Sequence, residues 1–291
     1  MSAVGPVRDG RVGRGKGAGR AGTVLLLCFA AMAVLGILAE REGGGSRSLP
    51  FQPPSRQHPL GTDDMGYDLL QLLVEAAPVS LMVGLGAGAV AAILGTGVGL
   101  LAGYARGAWA EILSAVIDVA LLIPMLPLMV LLTTLLGPGM GNIILVIALI
   151  GWCSTARAVR ARVIQLRDAP FVEALRALGL TQGRIVLLHV LPNVFGIVSA
   201  KLVLGIAGAM LSEAALSFMG LGDPLRPSWG RIMHFAFQRG GFANGLWNWY
   251  LPPGLCITAC ALGFVFLGLA WEQRAETPKV PEEWADESPG A

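Results

Sequence analysis

Glu213 and Asp118 are carboxylates set inside otherwise apolar runs, and Lys201 is the matching cation. An ionised group in apolar surroundings is costly, so each is either a working residue in a conducting path or a hydrogen-bonding residue that fixes helix packing. Asp118 reads as packing near one end of its run. Glu213, with Ser212 and Ser217 on either side of it, carries both readings equally. Cys256 and Cys260 share a helix face and resemble a metal pair, but no His or carboxylate accompanies them, so they read as packing. His58, Asp63, Asp64 and Asp68 could hold a cation, yet they lack calcium-loop spacing. They suit an Asx-type turn instead. There is no Walker lysine loop, no H-E-x-x-H and no G-x-S-x-G. The chain therefore carries no catalytic set, no metal site and no means of its own to bind ATP.

The remaining chemistry lies in a polar, cation-rich stretch from Arg157 to Pro192, between two uncharged apolar runs. Pro170 fits a first helical turn, where its missing N–H would have no partner. Ala174, Leu175 and Leu178 share one helical face. Gly179 suits the left-handed conformation that ends a helix. Thr181 is a candidate N-cap for the next helix, and Pro192 closes the unit. A helix–glycine–helix shape is also that of a DNA reader, but apolar spans flank this one closely on both sides.

The elements that position these residues follow from composition. Of 291 residues, 54% are hydrophobic and 14% charged, against roughly 25% charged in soluble domains. The chain belongs to the membrane class. Residues 1–20 are Gly/Arg-rich and read as a disordered basic tail. A first span follows over 21–39, where a cleaved signal peptide competes with a retained helix, and the run is long for the former. Residues 40–77 form a polar loop. The second span covers Pro78 to Ala105, with glycines at 84, 88, 95, 99 and 103 spaced for close helix approach. The third runs from Ile112 to Leu136 with Pro124 and Pro127 near its middle, and the fourth from Met140 to Ala156. The fifth runs from Val194 to Leu221 with Lys201 snorkelling near one end. The sixth runs from Leu251 to Trp271, and 272–291 form a short acidic tail. Trp247, Trp249 and Tyr250 mark a membrane interface. With the N-terminus inside, 14 of the 21 Lys and Arg fall on the inner side and 6 on the outer. That bias places both termini and the 157–192 loop in the cytoplasm.

Glu173, Ala174 and Gly179, followed at fixed distance by Leu191 and Pro192, resemble the "EAA" loop of bacterial ABC importer permeases. Leu175 departs from that family's second alanine. His189 and Asn193 complete the "H-x-L-P-N" form of the peptide and nickel branch. His58 to Asp68 is similar to that branch's "HPLGTDxxGRD", with Tyr67 in place of the arginine. Glu213 to Gly222 resembles "EAALSFLGLG", and Pro227 to Gly230 matches "PSWG". The likeness covers nearly the whole chain after Ser55.

The resemblance implies an all-α, six-span C-type permease subunit with a cytoplasmic coupling loop, and a permease core over 78–271. It implies a second related permease, two ATPase subunits or domains that bind ATP and Mg, and an extracytoplasmic solute-binding protein. The setting would be the lipid of a bacterial plasma membrane, with no nucleic acid involved. Glu173, Ala174, Arg176, Gly179, Leu191 and Pro192 would engage the ATPase. Ser212, Glu213 and Ser217 would lie near an outer gate, and Trp229 and Arg231 would meet the binding protein. Oligopeptides or dipeptides are the implied cargo, with nickel, glutathione or another solute as the alternative. A secondary transporter would show inverted repeats, and none is evident. A membrane enzyme would need a nucleophile–base set.

Overall fold

The computed structural model describes residues 10–41 and 48–276, and among them every regular element is helical. Helix α1 spans Gly10–Arg41, α2 Leu69–Tyr104, α3 Ala108–Leu122, α4 Met125–Leu136 and α5 Met140–Arg167. The short α6, Pro170–Ala177, and α7, Gln182–Ile185, lead through a π turn, Val186–Val190, into α8, Leu191–Phe218. Then come α9, Trp229–Gln238, and α10, Trp247–Glu276. The basic segment expected to be disordered is helical from Gly10 onward. Residues 1–9, the 42–47 part of the polar loop and the acidic tail from 277 lie outside the described residues.

Five stretches are long and apolar enough to cross a bilayer: Gly17–Ala39, Leu69–Tyr104, Met140–Arg167, Gln182–Phe218 and Trp247–Glu272. The expected third span is not one helix. It is α3 and α4, bent by 91° at Ile123 and Pro124. Proline lacks an N–H and forces the residue before it into an extended conformation, and Ile123 has φ −74 and ψ 128. With 15 and 12 residues, neither half reaches the ~30 Å of a hydrocarbon core at 1.5 Å per residue.

Helix α2 is the centre of the bundle. It begins nine residues before the expected span and keeps Pro78 inside it. Asp68 starts it, its carboxylate accepting from the N–H of Leu70 at 2.8 Å and Gln71 at 3.0 Å. Its glycines divide between two neighbours. A Cβ on Gly84 or Gly88 would stand 2.3 Å from Met210 or 2.6 Å from Ile206, both on α8. On Gly95, Gly99 or Gly103 it would stand 2.5, 2.7 and 2.7 Å from atoms of Trp152, Ala156 and Val163 on α5. Lipid offers no hydrophobic drive for helix association, so close backbone approach is what holds these helices. Helix α1 lies against α2 and α10, and α10 against α8.

At one end of α2 a loop is pinned by the motif around His58. Its Nδ1 lies 2.7 Å from the Asp68 carboxylate, and Asp63 accepts from the N–H groups of Met65 and Tyr67 at 2.9 and 2.8 Å. Burial pushes the Asp63 carboxyl up from its ordinary value, with those two N–H bonds opposing. Arg239 donates to both oxygens of Asp64 at 2.9 and 3.1 Å, joining this loop to the end of α9. The Asx-type turn expected here is present, and the carboxylates are engaged by the protein itself.

Candidate functional site

The loop between α5 and α8 forms the opposite end of the molecule. Helix α6 starts at Pro170, as its ring geometry favours. It ends in a Schellman arrangement: Gly179 takes φ +82, its N–H donates to the Arg176 carbonyl at 2.9 Å, and the Leu180 N–H donates to Leu175 at 3.2 Å. Thr181 occupies the N-cap position of α7, but its side chain makes no capping bond. Pro192 does not close the unit. Helical structure passes through it, because the ladder slips by one residue in the π turn and the Leu191 N–H donates to Val186. Asn193 donates its side-chain amide to the His189 carbonyl at 2.7 Å, serving an acceptor next to the interruption. The Pro–Asn pair thus has a local physical account, whereas position 189 contributes only its backbone carbonyl.

The unit has its own small core. Val172, Ile185, Val190 and Val194 are buried against Val159 and Val163 of α5, with Leu100 and Tyr104 of α2 alongside. Glu173 and Ala174 are exposed, and Glu173 makes no side-chain hydrogen bond or ion pair among the described residues. The shared face expected for Ala174, Leu175 and Leu178 is only partly inward: Leu175 packs on the core while Leu178 is 76% exposed. With Phe171, Leu187 and Leu188, Leu178 leaves an apolar surface uncovered.

Arg176 turns inward. It donates to the Tyr104 hydroxyl at 3.4 Å and the Arg167 carbonyl at 3.3 Å, and its guanidinium stands 5.8 Å from the Tyr104 ring centre. The Tyr104 hydroxyl in turn donates to the side-chain oxygen of Gln182. Arg167 donates to the carbonyls of Gly103 and Ala105 at 3.2 and 2.8 Å. It also grips the adjacent Asp168 at 3.2 and 3.1 Å, and that hydrogen bonding holds the exposed carboxyl below its usual range. Tyr104, Gln182 and Arg167 were not singled out from the sequence. The available signal was a tyrosine and an arginine, Tyr104 and Arg106, closing an apolar run.

The expected gate residues separate. Glu213 is buried, accepts from Ser217 at 2.6 Å and has Ser228 as a further donor. Ser212 points elsewhere, into a cleft of about 350 Å³ shared with Met125, Ser154, Thr155 and Lys201. Lys201 lies midway along the Gln182–Phe218 helix, whose first turns belong to the loop. It also borders a second cleft of about 790 Å³ with Arg162, Gln165 and Glu272. Asp118 pairs with Arg157 at 2.8 Å, linking α3 to α5.

The expected contact at Trp229 needs correction. Its side chain is fully buried, with the indole N–H donating to the Leu73 carbonyl at 2.9 Å and its backbone N–H to Ser80 at 3.1 Å. Gly230 lets α9 press onto α8, since a Cβ there would stand 2.6 Å from the Ala214 carbonyl. Trp249 is likewise packed inside and T-shaped against Phe51 at 6.2 Å, so it is not a surface anchor. Arg231 is half-buried. It donates to the Asp223 carbonyl and lines a cleft of about 410 Å³ with Asp63, Glu75 and Arg239.

An all-helical bundle with five apolar spans, a bent pair and a two-helix loop packed on its own core is that of a polytopic membrane protein. Residues 95–276 match the family described as "Binding-protein-dependent transport system inner membrane component", and the chain belongs to this family of ABC importer permeases. It is similar to a dipeptide transport system permease protein of Alkalihalophilus pseudofirmus, 37% identical over 220 residues, 75% of this chain and 71% of the relative. It is also similar to two proteins of Brucella suis biovar 1. One, a putative peptide permease protein, is 33% identical over 78% of this chain and 80% of its own length. The other, a putative peptide transport system permease protein, is 34% identical over 86% and 84%.

Proposed function

We propose that the chain is the C-type permease subunit of an ATP-driven peptide importer, and that the α6–α7 unit is its docking surface for an ATPase. The observation that carries this is the loop's two-sidedness. Val172, Ile185 and Val190 anchor it to the bundle, while Glu173, Ala174 and the apolar side chains of Phe171, Leu178, Leu187 and Leu188 face outward with nothing over them. Exposed apolar surface rimmed by polar groups is characteristic of a protein contact site. The peptide cargo follows from the descriptions of the relatives named above.

In this reading both termini and the loop are cytoplasmic, in a bacterial plasma membrane. A second related permease forms the other half of the path, two ATPase subunits or domains hold ATP and Mg, and a solute-binding protein delivers cargo outside. The chain itself performs no catalysis. Glu173 and Ala174 make the contact, and Gly179 sets the angle between the two helices. Leu191 and Pro192 carry the π turn into α8, and Arg176 braces the unit from within. Ser212 and Lys201 border the path, whereas Glu213 and Ser217 fix packing. Arg231 belongs to the outer surface that receives the binding protein.

The test is co-purification of the ATPase subunits with the permease in mild detergent. Leu178→Asp, at an exposed position, should leave the permease inserted and its permease partner bound while reducing recovery of the ATPase several-fold. Undiminished recovery would remove the loop from the contact.

A further inference from the structure

The loop is continuous with α5 and α8, so motion of the loop reaches those helices through the chain itself. Helix α2 has no such connection, yet its last turn is held by side chains from three elements of the loop region. The Tyr104 hydroxyl donates to Gln182 at the start of α7 and accepts from Arg176 of α6 at 3.4 Å. Its ring is packed in the loop's own core. Arg167, from the end of α5, donates to the carbonyls on either side of it, at Gly103 and Ala105. At the far end of α2, the Leu73 carbonyl and the Ser80 hydroxyl receive the two N–H groups of Trp229, the first residue of α9. Ser80 lies on the Tyr104 side of Pro78, so one of these grips bypasses the weak point a proline makes in the helix. From Leu73 to Tyr104 the rise is about 45 Å. Along that length its glycines bring α2 close against α5 and α8.

We infer that Tyr104 is a positioning residue that ties the loop to α2, and that α2 carries the loop's displacement to α9 at the opposite end of the molecule. This rests on the reading of the loop as the ATPase docking surface. The Tyr104–Gln182 hydrogen bond is the separable part of the joint, because Gln182 is exposed and Phe retains the ring in the core.

The full complex, with its second permease, ATPase and binding protein, is reconstituted in liposomes with Tyr104→Phe, Gln182→Leu and the double variant. Peptide moved per ATP hydrolysed should fall about two- to tenfold in each, the range one ordinary hydrogen bond supports. The double variant should fall no further than Tyr104→Phe alone, which already loses the Gln182 bond together with the weaker one from Arg176. A purely structural role would instead lower the amount of assembled complex and leave the ratio unchanged. A second readout needs no cargo. In a Cys28→Ser background, a cysteine replacing the exposed Phe237 of α9 is titrated with a membrane-impermeant maleimide in nucleotide-free and vanadate-trapped complexes. Its reactivity should differ between the two states with Tyr104 present and differ much less with Tyr104→Phe. Wild-type ratios in the single variants, or equal reactivity in both states with Tyr104 present, would overturn the inference. A wild-type complex that moves no peptide while α9 still responds would overturn the cargo reading and leave Tyr104 standing.

Discussion

At the scale of single residues, the polar groups near the two ends of α2 have opposite titration behaviour. The buried Asp63 carboxyl is raised by desolvation, so its ionisation works against folding. Below its ordinary value of 3.8 the group is protonated in both states and has no effect. As pH rises through the window above that value, the unfolded chain releases the proton first, and stability falls until the folded carboxyl has ionised too. Asp63→Asn keeps an oxygen for the N–H groups of Met65 and Tyr67 and removes the charge. Its unfolding temperature in detergent should exceed the wild type's at neutral pH, and the gap should close as pH falls towards 4. A gap that widens on acidification would show that the ionised form is the favoured one. Residue roles were unevenly legible. Gly179 was readable because only one conformation ends a helix that way, whereas Asp68 was read as part of a turn and not as the cap that starts α2. Trp229 was not readable, since a tryptophan beside a membrane suits an anchor, a contact or a core equally well. Ser212 and Glu213 are sequence neighbours, but adjacent helix positions stand ~100° apart, so they serve different surfaces.

Among the elements, α2 depends on its small residues in a position-specific way. Gly97 has open space where a Cβ would go, whereas Gly99 faces the Ala156 carbonyl at 2.7 Å and the Val159 Cβ at 2.8 Å. Gly97→Ala should be neutral or slightly stabilising, by up to ~1 kcal/mol, because alanine is the better helix former. Gly99→Ala should push α2 off α5 and cost ~1–3 kcal/mol, as overpacking does. Thermal aggregation of the detergent-solubilised variants separates the two, and equal behaviour would mean that the α2–α5 contact is looser than described. The four-residue spacing of these glycines predicted close packing. It could not say that 84 and 88 meet α8 while 95, 99 and 103 meet α5, because helix assignment needs the third dimension. The bend between α3 and α4 was hidden for a related reason: hydropathy runs unbroken through Pro124, and a proline in an apolar run is compatible with a kink, a break or a tolerated turn.

For the molecule as a whole, two end assemblies are joined by a central rod. One gathers the His58 loop, α9 and the start of α10, and the other gathers α6, α7 and the last turn of α2. Their sequence signatures were legible as motifs, yet the physical link between them passes through Tyr104 and Leu73, which belong to no motif. The π turn sets how the second assembly is phased against the bundle. Ile185 and Val190 are both fully buried although five positions apart, a step that ordinary α pitch would swing away from the core. Removing the exposed Leu187 would bring them to four apart, where both still face inward, so the shortened chain should insert and fold. Adding an alanine at that place would put them six apart, about 120° from each other at ordinary pitch, and should sharply reduce recovery of folded protein. Shortening tolerated and lengthening refused is the mark of a helix that already holds one surplus residue.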